Sequence, residues 1–456
     1  MKSKRTIRSI LVVTFALLGG NAWAVPIGII DSGTDLKHPN LANKAWTNPG
    51  NLSGDSFKDD THGWNFAEDN NEIIDYSLLG TFSPDMTQFF QVQLKLLQGT
   101  ATDEEKQWMK DKKGDDKFIE ELQTFGNFVH GTHVAGISAR SADQAQLMAA
   151  KIIPTKVTKP GSGLEVQSFF DHFRLWPKES DPLTDMALHF MLGVLASQHS
   201  KTLIPVSEYV NVTGMAVANC SFGTSVEQAK KIVTLIAKSV LKKELTEAEQ
   251  EKYGAVFLNQ VIKKGAAFAS SAPKALFVIA AGNDGSDNDK VPTFPANLKA
   301  DNTITVAATR GYEKLASFSN YGATLVEIAA PGVGIISDIP GGETMPLSGT
   351  SQAAPFITNL AGQILDTNSQ LTLTQVKQIM MQTVDKKDFL VGKVVSEGIA
   401  NPDRALRAAT LSTQMELSAA IDQAKREVNA VKVRKSILSR SSYDGEPIPL
   451  PSTFRF

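Results

Sequence analysis

Cysteine is nearly absent from this chain of 456 residues: Cys220 is the only one, so no internal disulfide can form. A protein exported without disulfides must draw its stability from its core or from bound ions. An excess of one charge is also lacking. Lys and Arg total 46 against 48 Asp and Glu, a net charge of −2, which removes the electrostatic reason to expect nucleic acid or an anionic membrane as partner. No stretch beyond residue 24 is long and apolar enough for a transmembrane helix. With 42% hydrophobic and 21% charged residues, the composition is that of an ordinary globular protein. The length allows one large α/β domain with insertions, or two domains.

Residues 1–24 read as a secretory signal. Lys2, Lys4, Arg5 and Arg8 precede a short apolar core from Ile10 to Leu18, and Ala22-Trp23-Ala24 is an A-x-A cleavage site. There is no twin arginine, and no Cys near the cut could carry a lipid. The expectation is a Sec-type signal cleaved near Ala24/Val25 and a soluble mature protein that is secreted or periplasmic, with no membrane span.

After the signal, short apolar runs alternate with helical patterns. Pro26 to Ile30 predicts a buried strand with Asp31 at its carboxyl end, the edge where parallel sheets build sites. His62 to Phe66 predicts another, and the oxygens of Asp69, Asn70 and Asn71 beyond it could hold Ca²⁺ or form a plain solvated loop. Further strands are expected at Leu147–Ile153, Met215–Cys220, Ala275–Ala280, Thr303–Ala308 and Val326–Ala330. Helices are expected at Leu183–His199 (with Met186, Phe190, Leu192, Val194 and Leu195 inside), Ser225–Lys243, Thr246–Lys264 and Thr372–Val384, and directly after Ser351. This alternation is the sign of a three-layer α/β/α fold around a mostly parallel sheet.

A helical insertion is expected at about 76–124, where Ser83-Pro84-Asp85 opens one helix and Asp103 to Leu122 forms a second, charged and solvated one. Further insertions are expected at about 155–214 and 225–265. Residues 411–456 read as a separate tail, helical to Leu438 and then extended around Pro447, Pro449 and Pro451.

Ser351 lies among small residues, and the apolar run Phe356 to Gly362 follows at helical spacing. It reads as a nucleophile near a helix start, where backbone N–H groups and the helix dipole favour developing negative charge; the plainer reading is an N-cap. An alcohol is a weak nucleophile and needs a base, and a group to orient the base. His130 and His133 are three apart. The pair lacks the i, i+4 register and the Glu of the zinc motif, so the preferred reading is a catalytic His130 at a helix start with His133 packing one turn on. His172, His189 and His199 are assigned to packing or surface, and Cys220 to the core.

Asp31, His130 and Ser351 occur in the order Asp, His, Ser. On the motifs Ile30-Asp31-Ser32-Gly33, His130-Gly131-Thr132-His133-Val134-Ala135-Gly136 and Ser348-Gly349-Thr350-Ser351-Gln352-Ala353-Ala354-Pro355, the chain resembles the subtilisin-like serine proteases, the subtilases, over roughly residues 26 to 410. Ala280-Ala281-Gly282-Asn283 matches the stretch that carries that family's oxyanion-hole Asn, and Ser221-Phe222-Gly223 its substrate-lining strand.

The resemblance implies a serine endopeptidase that hydrolyses protein or peptide substrates through an acyl-enzyme on Ser351. His130 would be its general base, Asp31 the orienting carboxylate, and Asn283 with the Ser351 N–H the oxyanion hole. Ser221, Phe222 and Gly223 would pair with an extended substrate. Ala280, Ala281 and Gly282 would wall a roomy pocket for apolar side chains, with Asp284 as a second-ranked source of basic preference. The competing reading is a catalytically inactive binding or scaffold protein on the same fold. An α/β-hydrolase esterase fails, because Gly349-Thr350-Ser351-Gln352-Ala353 is not G-x-S-x-G and the triad order differs.

Three departures from the family pattern bear on function. Only Val25 to Ile30 separate the signal from Asp31, where a propeptide is usual. Gln352 stands where many relatives carry Met. The insertion between Asp31 and His130 is expected to border the cleft, and it or the tail could dock a protein partner.

Overall fold

The computed structural model describes residues 25–50, 57–156, 182–240, 243–432 and 449–450. The expected signal, His172 and most of the 155–180 loop lie outside the described residues. The first half of the chain forms β1 (Val25–Asp31), β2 (Gly63–Asn65), α1 (Pro84–Gln98), α2 (Asp103–Lys113), α3 (Asp116–Ser138), β3 (Ala145–Lys151), α4 (Pro182–Val212) and β4 (Val217–Cys220). Then come α5 (Val226–Val240), α6 (Glu247–Ser270), β5 (Leu276–Ala280), β6 (Thr303–Arg310), β7 (Lys314–Leu315), β8 (Ile328–Pro331), β9 (Ile335–Ile339) and β10 (Glu343–Leu347). The chain continues through α7 (Thr350–Thr367), α8 (Leu373–Gln382), β11 (Asp385–Lys386), β12 (Gly398–Ile399), α9 (Pro402–Leu411) and α10 (Leu417–Glu427).

The main sheet has the order β11-β12-β8-β6-β5-β4-β1-β3-β2, and every pairing from β12 to β2 is parallel. Successive residues of a strand face opposite layers, and the sequence uses this. On β4 and β5, Val217, Leu276 and Val278 join α7 to α10 in one core, while Ala218, Cys220, Phe277 and Ile279 join α4 to α6 in the other. The result is a three-layer α/β/α architecture. The strand order reverses at β1, which has β3 on one side and β4 on the other. Such a reversal opens a crevice at the carboxyl ends of the strands, and Asp31 ends β1 at that point.

Several elements differ from the sequence reading. The charged segment expected as one helix is two, because Asp115 after Gly114 accepts from the N–H groups of Lys117 and Phe118 and starts α3 afresh. Helix α4 runs past His199 and through Pro205 to Val212, held by the buried Leu203, Val206, Tyr209 and Val210. Phe190, expected inside that helix, is 59% exposed. The β9–β10 hairpin, which leads directly to Ser351, was not expected; its turn uses Gly341 and Gly342 at positive φ.

The segment expected as an insertion has its own core. Phe89, Phe90, Phe118, Leu122 and Phe125 pack with Met345 and Leu347 of β10, so its helices rest on the strand that carries the chain to Ser351. The tail helix α10 ends at Glu427 rather than Leu438 and buries Ala420, Ile421 and Ala424 in the core shared with α7 to α9. Arg404 reaches the Val428 carbonyl, and Asp385 accepts from the Val431 N–H at 2.7 Å, so the chain stays attached beyond the helix.

Candidate active site

Asp31 is fully buried, and one of its carboxylate oxygens, Oδ1, takes two contacts. The Ser32 N–H donates to it at 2.7 Å, and His130 Nδ1 lies 2.7 Å from it. An ionised carboxylate only accepts, so Nδ1 carries the proton and Nε2 presents its lone pair. The two elements meet at a close approach of backbones. A Cβ on Gly131 would lie 2.1 Å from the Gly33 carbonyl oxygen, so no side chain fits there. The Gly131 N–H donates to Ser32 Oγ at 3.2 Å, and the Asp35 N–H to Thr132 Oγ1 at 2.9 Å. Gly131→Ala should therefore destabilise the fold by about 3 kcal/mol or more, because the clash is with backbone and cannot be relieved by a rotamer change. Thermal unfolding of the variant checks this.

His130 does not start a helix as expected. It lies well inside α3, which runs unbroken from the insertion to Ser138. His133 is one turn further on and fully buried, with Nε2 donating to the Ile335 and Met345 carbonyls at 3.0 and 2.9 Å. It thereby ties α3 to the hairpin. Burial, the largest cause, pushes its pKa down to about 3.

The unfolded chain binds that proton below about pH 6.5 while the folded chain does not, so stability falls with pH from there toward pH 3. The expected slope is up to about 1.4 kcal/mol per pH unit. Urea midpoints at pH 7 and 4.5 should show a smaller drop in His133→Gln than in the parent chain.

Ser351 is the second residue of α7 and 7% exposed. Pro355 lies one turn on and has no N–H, so the Ser351 carbonyl loses its helical donor. Ser221 Oγ replaces that donor at 3.0 Å and is itself held by Asn219 Nδ2 at 2.8 Å. Thr358 Oγ1 in turn donates to Asn219 Oδ1 at 3.0 Å. The Ser351 hydroxyl donates to the Ser221 carbonyl at 3.3 Å rather than to His130. The Asp–His contact is thus formed at rest and the His–Ser contact is not.

Asn283 follows β5. Its Oδ1 accepts from the Thr350 N–H at 2.8 Å and Thr350 Oγ1 at 2.9 Å, which orients the amide and leaves Nδ2 to face Gly349. A Cβ on Gly349 would sit 3.5 Å from Asn283 Nδ2 and 3.6 Å from the Ser351 nitrogen. Both donors therefore border the point that a Gly349 side chain would fill, which Gln352 Oε1 also approaches, at 2.8 Å. Gly223 lies one residue before Thr224, which pairs with Phe294. Among the described residues, the Gly223 N–H and carbonyl have no backbone partner. Ala280 is buried, Ala281 turns into a separate small core, and Asp284 is exposed with its N–H on Asn320 Oδ1.

Thr350, Asn219 and Asn320 support this geometry and were not singled out from the sequence. Thr350 was legible as the second hydroxyl of the Ser348–Pro355 motif; the two asparagines carry no local signal. Cys220 is buried, and its thiol pKa is pushed up by burial and then by Asp31. His189 Nδ1 contacts the Asp185 carbonyl of its own helix at 2.8 Å. In the loop after β2, Asn70 Oδ1 is taken by Asn65 Nδ2 and the Glu72 N–H. Among the described residues, no three His, Cys, Asp or Glu side chains gather as a metal site.

The profile of the Subtilase family matches residues 24–405. A thermophilic serine proteinase of Bacillus sp. strain AK1 is 42% identical over 113 residues, 25% of this chain and 26% of that protein. An extracellular basic protease of Dichelobacter nodosus is 33% identical over 145 residues, 29% of this chain and 23% of that protein. The chain thus spans about a quarter of the length of these two relatives. A solved cold-adapted subtilisin-like serine proteinase covers 84% of this chain and 88% of its own, at 18% identity and a TM-score of 0.45. With a family profile running from the first strand to α9, this chain belongs to the subtilase family.

Proposed function

We propose that the chain is a serine endopeptidase acting through an acyl-enzyme on Ser351. The observation that carries this reading is the 2.7 Å contact between buried Asp31 and His130 at the sheet edge to which α7 brings Ser351 and β5 brings Asn283. In the proposed reaction, the Ser351 hydroxyl leaves the Ser221 carbonyl and turns toward His130 Nε2. It attacks the scissile carbonyl while its proton passes to Nε2, and Asp31 stabilises the imidazolium. The Asn283 amide and the Ser351 N–H receive the oxyanion. His130 then gives the proton to the leaving amine, and water, activated by the same base, releases the acyl group.

The unpaired backbone of Gly223 suits an extended peptide, and the small Ala280 and Gly282 suit an apolar side chain next to the scissile bond. Secretion or a periplasmic location is supported by the cationic, apolar and A-x-A pattern of residues 1–24. It is also supported by the word extracellular in one relative's name. No helix among the described residues is long and apolar enough to cross a membrane.

A fluorophosphonate probe should label the parent chain and not Ser351→Ala. Equal labelling of both would remove Ser351 as nucleophile. A folded parent chain that resists the probe would favour a binding or scaffold protein.

A further inference from the structure

The residue after Ser351 has no part in the reaction just described. Gln352 is 2% exposed, and its backbone N–H bonds to the Gly349 carbonyl at 3.1 Å. Its side chain folds back over Gly349. Oε1 lies 2.8 Å from the point where a Cβ on Gly349 would sit, the same point that lies 3.5 Å from Asn283 Nδ2 and 3.6 Å from the Ser351 nitrogen. The other end of the carboxamide, Nε2, is buried without a hydrogen-bond partner. A buried polar group left unsatisfied is costly. One bordering a site where a substrate oxygen acquires charge has an obvious use.

We propose that Gln352 is a third donor of the oxyanion pocket: its carboxamide turns about the terminal torsion and Nε2–H bonds to the substrate oxygen in the tetrahedral intermediate. The terminal torsion of glutamine is broad and roughly two-fold, so a half turn exchanges Oε1 and Nε2 while the rest of the side chain stays packed. After the exchange, the donor occupies the position now held by Oε1. No proton or bond changes hands, and the stabilisation is that of one added hydrogen bond. The inference rests on the reading of Ser351 as nucleophile.

The test compares the full-length chain with Gln352→Met, Asn283→Ala and the double variant. Gln352→Met keeps the length of the side chain and removes the donor. Turnover of a fluorogenic peptide gives kcat and KM, and a peptide boronic acid, whose serine adduct is tetrahedral, gives an inhibition constant. Gln352→Met should lower kcat about 10-fold and weaken the boronic acid by a similar factor, with KM changed less than about 2-fold. This is smaller than the 10²–10³ lost with the oxyanion Asn of subtilisin, because Nε2 must first turn. In the Asn283→Ala background the same change should cost more than in the parent chain, since Gln352 is then the sole side-chain donor left. A residue that only fills space would alter thermal stability and KM without this bias toward the tetrahedral state. If the parent chain labels with fluorophosphonate and Gln352→Met keeps the parental kcat and boronic acid affinity, this inference fails alone. If the parent chain does not label, the nucleophile assignment fails and this inference with it.

Discussion

His130→Ala should lower kcat by about 10⁶-fold, the size of loss that removing the equivalent base causes in subtilisin. The physical reason is that, among the described residues, no other base is seen to contact the Ser351 hydroxyl. The hydroxyl donates only to a backbone carbonyl, that of Ser221, and a carbonyl does not become a base. The only other imidazole on this stretch of α3, that of His133, is sealed in the core with its Nε2 committed to two carbonyls. It cannot substitute. The measurement is kcat of purified variant and parent on one peptide substrate, with thermal unfolding as a check of folding. A loss below about 100-fold would mean that His130 is not the base, since even an auxiliary acid–base group is worth 10²–10⁴.

Asp31→Ala should cost less, about 3 × 10⁴-fold in kcat, again the scale known from subtilisin. In the proposed reaction Asp31 touches no substrate; it fixes which ring nitrogen is protonated and stabilises the imidazolium. Its burial makes it effective, because water does not screen the interaction with the ring. Asp31→Asn is the sharper variant. An amide can donate to Nδ1 and so force the proton onto Nε2, the wrong tautomer for a base, at a cost of about 10⁴-fold. Both variants should also slow fluorophosphonate labelling. If Asp31→Asn labelled at the parental rate, the carboxylate would have no role in activating Ser351.

The sequence made the layers legible because short apolar runs alternate with helical patterns along the chain, and each is a local signal, as is the apolar run of α7. It made the candidate site legible because Asp31, His130, Asn283 and Ser351 each lie in a short glycine-containing motif. What it hid depends on distant neighbours. The place of His130 inside α3 follows from a helix that starts at Asp116 and continues unbroken into the His motif. The β9–β10 hairpin was masked by Pro340 and Pro346, which weaken a strand signal. Asn219 is polar in an apolar strand, and its purpose appears only when Thr358 and Ser221, 139 and 2 positions away, are seen to hold it.

The continuity of α3 also limits how the protein can be simplified. His130 sits on the same rod, about 34 Å long at 1.5 Å per residue, as the inserted segment. Cutting the chain back to a more compact form by deleting residues 84–129 would leave the imidazole on a freshly exposed first turn, with up to four backbone N–H groups in need of acceptors. A shortened chain would need a new capping residue just ahead of His130 before its histidine could again lean on Asp31.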